Sequence, residues 1–246
     1  MRWARHVVFR GLVPSLSRRH ILNMTVRVLP LLLFLAACTG ETIEPSYFQL
    51  RMTNVSLAEG VTSDMGVYTP RFSPGWVRVG GDPLFVEGEA ASPDLAFLAE
   101  QGDPTGLASS EGSSIPEDFV DTYEAAPLAS GLAFTARFEA LPGQRLHFAS
   151  MFIDSNDIIV GANMPLFDGD VPRTGDLTMD FAYYDVGSEV NEAPGFGAGQ
   201  PGGTGSGEEE AGVVTRFTVM DAAGHRYVAL DSLIRLELVT CDTPEC

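Results

Sequence analysis

Apolar residues recur at every second position in several segments of this chain, a periodicity that admits little besides strands with one buried face. In residues 132–139, Phe134, Ala136 and Phe138 share a side, while Arg137 and Glu139 point away. In residues 145–152, Leu146, Phe148 and Phe152 line one side, which leaves His147 on the opposite, solvent-facing side. Residues 176–183 repeat the pattern through Leu177, Met179, Phe181 and Tyr183, and further strands are predicted over 47–57, 213–220 and 233–240. Turns such as Pro142-Gly143 separate them. One short helix is predicted where Ser92 supplies an N-cap and Pro93 a first helical residue; Leu95, Phe97 and Leu98 follow, and Gly102 ends it. The expected fold is mainly β: a single antiparallel sandwich of roughly eight strands over 47–241, with one short helix and long loops.

The ends of the chain read differently. Six arginines and no acid precede Cys38, and beyond it nine arginines face 33 acids, a formal −24; there is no lysine. From Met24 the chain runs through Arg27 and an apolar stretch at 28–37 into Leu35-Ala36-Ala37-Cys38. That stretch falls well short of a bilayer of about 30 Å, which predicts the core of a signal peptide within 1–37, with Met24 able to begin it unaided. Residues 35–38 resemble a bacterial lipobox, which implies cleavage before Cys38, lipid on its thiol and a tether at 38–46. Thr39 departs from an inner-membrane retention signal, so the expected address is the cell envelope, at the outer membrane of a Gram-negative cell. At the far end, Cys241 and Cys246 enclose four residues, and they either close a small loop or stand as two exposed thiols in a tail at 242–246.

Charge and composition exclude much. The acidic excess rules out non-specific nucleic-acid binding, which needs a basic footprint. A hydrophobic content of 45% is too high for a disordered acidic tail. Residues 193–212, rich in glycine and ending in Glu208-Glu209-Glu210, predict a flexible loop within the domain. Gly195, Gly197 and Gly199 lack the strand before and helix after that a nucleotide-binding turn requires. Beyond Cys38 the histidines are His147 and His225, without zinc spacing, and the serines near 108–114 read as a loop without a nucleophile elbow. Carboxylate pairs are too easily found among 33 acids to argue for hydrolysis. The expectation is therefore non-enzymatic.

Two segments resemble the spondin N-terminal domain family. Residues 149–161 (ASMFIDSNDIIVG) look like its strand, acidic loop and apolar-Gly strand, and 184–191 (YDVGSEVN) is similar to its Tyr-Asp-Ala-Gly-Thr-Glu/Asp motif. Gly88, Ala91, Ser92, Leu95, Leu98, Ala99, Glu100, Gly102 and Asp103 match a further stretch, and 47–55 resembles its first strand. The resemblance implies an eight-stranded antiparallel sandwich related to calcium-dependent phospholipid-binding domains, with a calcium site in the loops at one end. Carried over residue by residue, the implied metal ligands are Asp157, Asp185 and Glu189, with Asp154 and Asn191 as nearby oxygen donors. Ser188 and Glu189 stand where animal relatives usually have Thr and Asp. The expected role is a lipid-anchored binding or adhesion module, held to the membrane by its anchor, that presents a calcium-ordered surface to a protein or glycan partner. Its alternatives are a structural envelope lipoprotein without a working metal site and a calcium-dependent hydrolase.

Overall fold

A computed structural model describes residues 44–111 and 127–244. Cys38, Cys246, the signal segment and the first part of the tether lie outside the described residues. Cys241 is disulfide-bonded. In chain order the elements are β1 (Ser46–Asn54), β2 (Val61–Ser63), β3 (Gly66–Tyr68), β4 (Trp76–Val79), α1 (Pro93–Gln101) and α2 (Thr105–Ser110). There follow β5 (Ala133–Ala140), β6 (Arg145–Met151), β7 (Ile158–Pro165), β8 (Phe167–Asp168), β9 (Val171–Pro172), β10 (Gly175–Asp176), β11 (Ala182–Asp185), β12 (Thr215–Phe217) and β13 (Ile234–Cys241).

Two antiparallel sheets carry the fold. One runs β10-β13-β1-β5 and the other β12-β11-β7-β6-β4, beside the small hairpins β2-β3 and β8-β9. In the first sheet, alternation works as the sequence predicts. Leu50 faces Leu238 on one side and Ala136 on the other, and Phe48, Leu50, Met52, Phe134, Leu236 and Leu238 are all buried. The central strands of the second sheet, β6, β7 and β11, are buried on both faces. Leu146, Phe148, Val160 and Tyr183 join the side chains of the first sheet in one core. Trp76, Ala149, Ile159, Ala182 and Tyr184 form a second, smaller cluster with Leu95, Leu98, Ala99 and Leu107 of the two helices.

Burial of this second face overturns one part of the sequence reading. His147 does alternate with Leu146 and Phe148, but its side of the sheet is covered and its exposure is 0% rather than solvent-facing. Burial pushes its pKa below the ordinary histidine value, helped by the charges of Arg78 and Arg145, while the nearby Gly81 backbone opposes.

Helix α1 forms as predicted. The Ser92 hydroxyl accepts from the Leu95 N–H at 3.2 Å, Pro93 occupies the first turn, and Gly102 closes the helix at φ 70°. There are two helices rather than one, because α2 takes in the front of the serine-rich stretch read as a loop. Ser109 and Ser110 donate back to the Thr105 and Gly106 carbonyls at 2.8 and 3.1 Å, and Leu107 is buried. The hydroxyls thus satisfy themselves on the helix, and one leucine anchors it.

The expected strand over 176–183 breaks in the middle. The Asp176 carboxylate accepts from Thr178 N–H at 2.9 Å and Thr178 hydroxyl at 2.6 Å, and that hydroxyl accepts from Leu236 N–H at 2.9 Å. These side-chain bonds outcompete a ladder and wind Thr178–Asp180 into a 3-10 turn. Met179, expected inside, is 80% exposed. The strand over 213–220 shrinks to the three residues of β12, because the backbone of Val214 pairs with Gly88 and Glu89, and Val219 accepts from Tyr227.

Residues 193–212 are not a featureless loop. Glu192, just outside the stretch, gathers the N–H groups of Ala198 and Gly199 at 3.1 and 2.8 Å and the Asn156 amide at 2.9 Å. Gly195 N–H donates to the Asp154 carbonyl, Val190 N–H to Glu208, and Glu210 N–H to Ser188. The glycines serve close approach here. A Cβ on Gly207 would fall 2.0 Å from the Glu189 carboxylate. Composition alone suggested entropy without return; a carboxylate from the flank supplies the partners.

Candidate metal-binding loops

Two loops meet beside the second sheet. One follows β6 and reads Ile153-Asp154-Ser155-Asn156-Asp157; the other follows β11 and reads Val186-Gly187-Ser188-Glu189-Val190-Asn191. Strands β7 and β11 pair with Asp185 opposite Ile158, which sets the end of one carboxylate-bearing strand beside the start of the next. Asp157 is fully buried and Asp185 nearly so.

The second loop wraps around these two acids. Gly187 N–H donates to Asp185 Oδ1 at 2.8 Å, a local turn that forces Gly187 to φ 71°. The reversal then aims the Ser188 and Glu189 N–H groups at Asp157 Oδ2, at 2.7 and 3.0 Å. Asn191 donates its amide to the other Asp185 oxygen. Three oxygens here are buried and have no partner: Asp157 Oδ1, Asn156 Oδ1 and Asn191 Oδ1. All three accept and none donates, so each is set up for a cation or a donor that the surrounding side chains do not supply.

Electrostatics agree with that geometry. Burial, and then the neighbouring Asp185 charge, push the Asp157 carboxyl up to about 7, against the pull of the Ser188 and Glu189 bonds. Asp185 is raised by burial; Gly187 and Asn191 oppose, and Glu210 and Asp221 add repulsion. Tyr227, whose buried hydroxyl also lacks a partner, is raised by burial and then by Asp221, Asp157 and Asp185. Two basic side chains of the region are engaged by other acids: Arg71 binds Asp154 at 2.6 Å, and His225 Nδ1 lies 3.1 Å from Asp221.

The structure brings together Asp157 and Asp185 but treats the other expected ligands differently. Glu189 contributes its backbone N–H to Asp157, whereas its carboxylate lies against Gly207 and is raised by burial and by Glu100, with Glu192 and Glu209 adding to it. Asp154 is tied up by both the backbone and guanidinium of Arg71. Among the described residues no three His, Cys, Asp or Glu side chains gather into a group able to hold a metal. The remaining oxygen donors on these two loops are two carboxylates and two amide oxygens, hard ligands of the kind calcium takes alongside carbonyls and water. In that chemical sense the residues present fit the ion. Asn156, Glu210, Asp221 and Tyr227 were not legible as parts of this region; only the adjacency of Asn156 to Asp157 could have marked one of them.

Gly187→Ala tests how far this wrapping matters. A Cβ there would sit 2.6 Å from the Val213 nitrogen in a left-handed backbone, whereas at Gly131, at φ 81°, a Cβ meets nothing within 4 Å. We expect a loss of about 3 kcal/mol for Gly187→Ala and about 1 kcal/mol for Gly131→Ala by chemical denaturation. Equal losses would show that the close approach is relieved by movement of the neighbouring backbone.

No protein-family model matches the chain, and no curated protein matches it. Among the described residues, no helix is long and apolar enough to cross a membrane.

Proposed function

We propose that the chain is a lipid-anchored binding module of the cell envelope whose loops at one end are ordered by calcium. The observation that carries the reading is the pair of neighbouring buried carboxylates, Asp157 and Asp185, with one oxygen of Asp157 left without any partner. Calcium would supply charge and geometry alone: it would cancel the repulsion between these acids and fix the loops around them. Asp157 and Asp185 would hold it, with the amide oxygens of Asn156 and Asn191 alongside. The spondin-like motifs fall on the same two loops, which supports the kinship and the finer fold it implies. Without the two-residue β10, the two larger sheets hold eight strands, the number of the calcium-dependent phospholipid-binding sandwich. The lipobox-like ending at Cys38 supports the anchor and the outer-membrane address.

The test is the thermal midpoint of residues 39–246 in calcium, in magnesium and in chelator. A hundredfold excess over the dissociation constant stabilises by about 2.7 kcal/mol, a clear upward shift. A calcium-selective rise that disappears in Asp157→Ala and Asp185→Ala supports the reading. No rise in the parent chain would leave a structural envelope protein with unused acidic loops.

A further inference from the structure

On the helix-covered side of the second sheet lies a polar groove of about 430 Å³. That is within the range of small-molecule sites, roughly 300–1,000 Å³. Its apolar floor is the ring of Phe85 set on that of Tyr184, with centroids 4.6 Å apart. Phe85 rests there because residue 161 is glycine; a Cβ would come within 2.9 Å of its ring. Around the floor stand Glu87, Asn163, Asp180 and Arg216. Each keeps unused hydrogen-bonding capacity. Asn163 Oδ1 accepts from Arg145 at 2.7 Å, which leaves its amide N–H groups free, and Asp180 gives only one oxygen to Arg173. Arg216 is exposed and forms no ion pair among the described residues, although Asp180 and Glu87 line the same groove.

We propose that this groove binds a neutral saccharide. A sugar hydroxyl both donates and accepts, so a polyol can serve the Glu87 and Asp180 carboxylates and the Arg216 and Asn163 donors at once. Planar guanidinium and carboxylate groups match pairs of adjacent hydroxyls. The C–H face of a pyranose, carrying partial positive charge, fits the negative face of the half-buried Phe85 ring, which Tyr184 supports from beneath. An anionic ligand meets two carboxylates on a strongly acidic body, and a cationic one meets Arg216. The groove shares no lining residue with the two acidic loops, and, resting on the binding-module reading above, it gives that module a class of partner.

The experiment titrates residues 39–246 with neutral tetrasaccharides of glucose, galactose, mannose and N-acetylglucosamine, and with tetragalacturonate. Titrations are followed calorimetrically in calcium and in chelator. At least one neutral probe should bind at millimolar concentration or below. Arg216→Ala and Glu87→Ala should each weaken it roughly tenfold or more, with unchanged thermal midpoints because both side chains are exposed. Arg137→Ala, on the other sheet, should leave binding as it was. Absence of neutral-sugar binding, preference for tetragalacturonate, or binding indifferent to both groove variants would overturn the proposal. Sugar binding without any calcium response would sink only the metal reading, and the reverse would sink only this one.

Discussion

In chelator at roughly pH 8, Asp157→Asn is expected to melt higher than the parent chain, and to lack the calcium-dependent rise proposed for the parent. The reason is the energetic cost of an ionised carboxylate that is fully buried beside Asp185. Its folded pKa of about 7 exceeds the ordinary 3.8, and each unit corresponds to about 1.4 kcal/mol. Asparagine has the same shape, keeps an oxygen for the Ser188 and Glu189 N–H groups, and carries no charge. The gain is on the order of 3 kcal/mol, or roughly 8 °C for a domain of this size.

The sign follows from linkage. A folded pKa above the unfolded one means that the folded state holds the extra proton between about pH 4 and 7. The contribution of Asp157 is therefore fully present below about pH 4 and is lost as pH rises through 7. Asp185, Asp154 and Glu189 shift the same way. His147 opposes them: its pKa is lowered, so its contribution is present above about 6.5 and lost as pH falls. The difference between parent and Asp157→Asn, measured from pH 5 to pH 8 in chelator, isolates the one carboxylate. It should widen with pH and then level off; a variant less stable than its parent throughout would mean that the charge at Asp157 is not a burden.

The second large effect is structural. Phe152 is fully buried at the end of β6, with ring centroids 5.4 Å from Phe72, 5.7 Å from Tyr183, 5.9 Å from Tyr227 and 6.4 Å from Tyr68. Its backbone pairs with Ile158 across the first acidic loop, so one residue anchors both the core and the loop that carries Asp157. Phe152→Ala should cost about 4 kcal/mol by denaturant unfolding and should also weaken any calcium response. Met179→Ala, at 80% exposure, should change stability by less than about 0.5 kcal/mol. Similar losses for the two would contradict the core described above.

What was legible in the sequence follows a physical divide. Strands β1, β5 and β13 were readable because one face meets the core and the other meets water, which writes alternation into the chain. Helix α1 was readable from its caps, since Ser92, Pro93 and Gly102 act on their own backbone. The break at Thr178 combines local bonds to Asp176 with Thr178 accepting from Leu236, and this last residue, far along the chain, kept it hidden. The burial of His147 was hidden for the same reason, since Arg78 and Gly81, which approach it, come from a distant part of the chain. At the loops, Asp157 and Asp185 could be named from motif likeness. That the Glu189 N–H would bond Asp157 while its carboxylate lies beside Gly207 could not, since both contacts join distant segments.

The sequence by itself therefore determined the β character, the caps of one helix, the acidic body and the two loops worth watching, because each is encoded by neighbouring residues. Only the tertiary structure decided which acids meet, which are bound by Arg71 or His225, and which oxygens are left buried without partners. Those outcomes depend on contacts between segments distant in the chain, where burial raises the energetic cost of every unpaired charge.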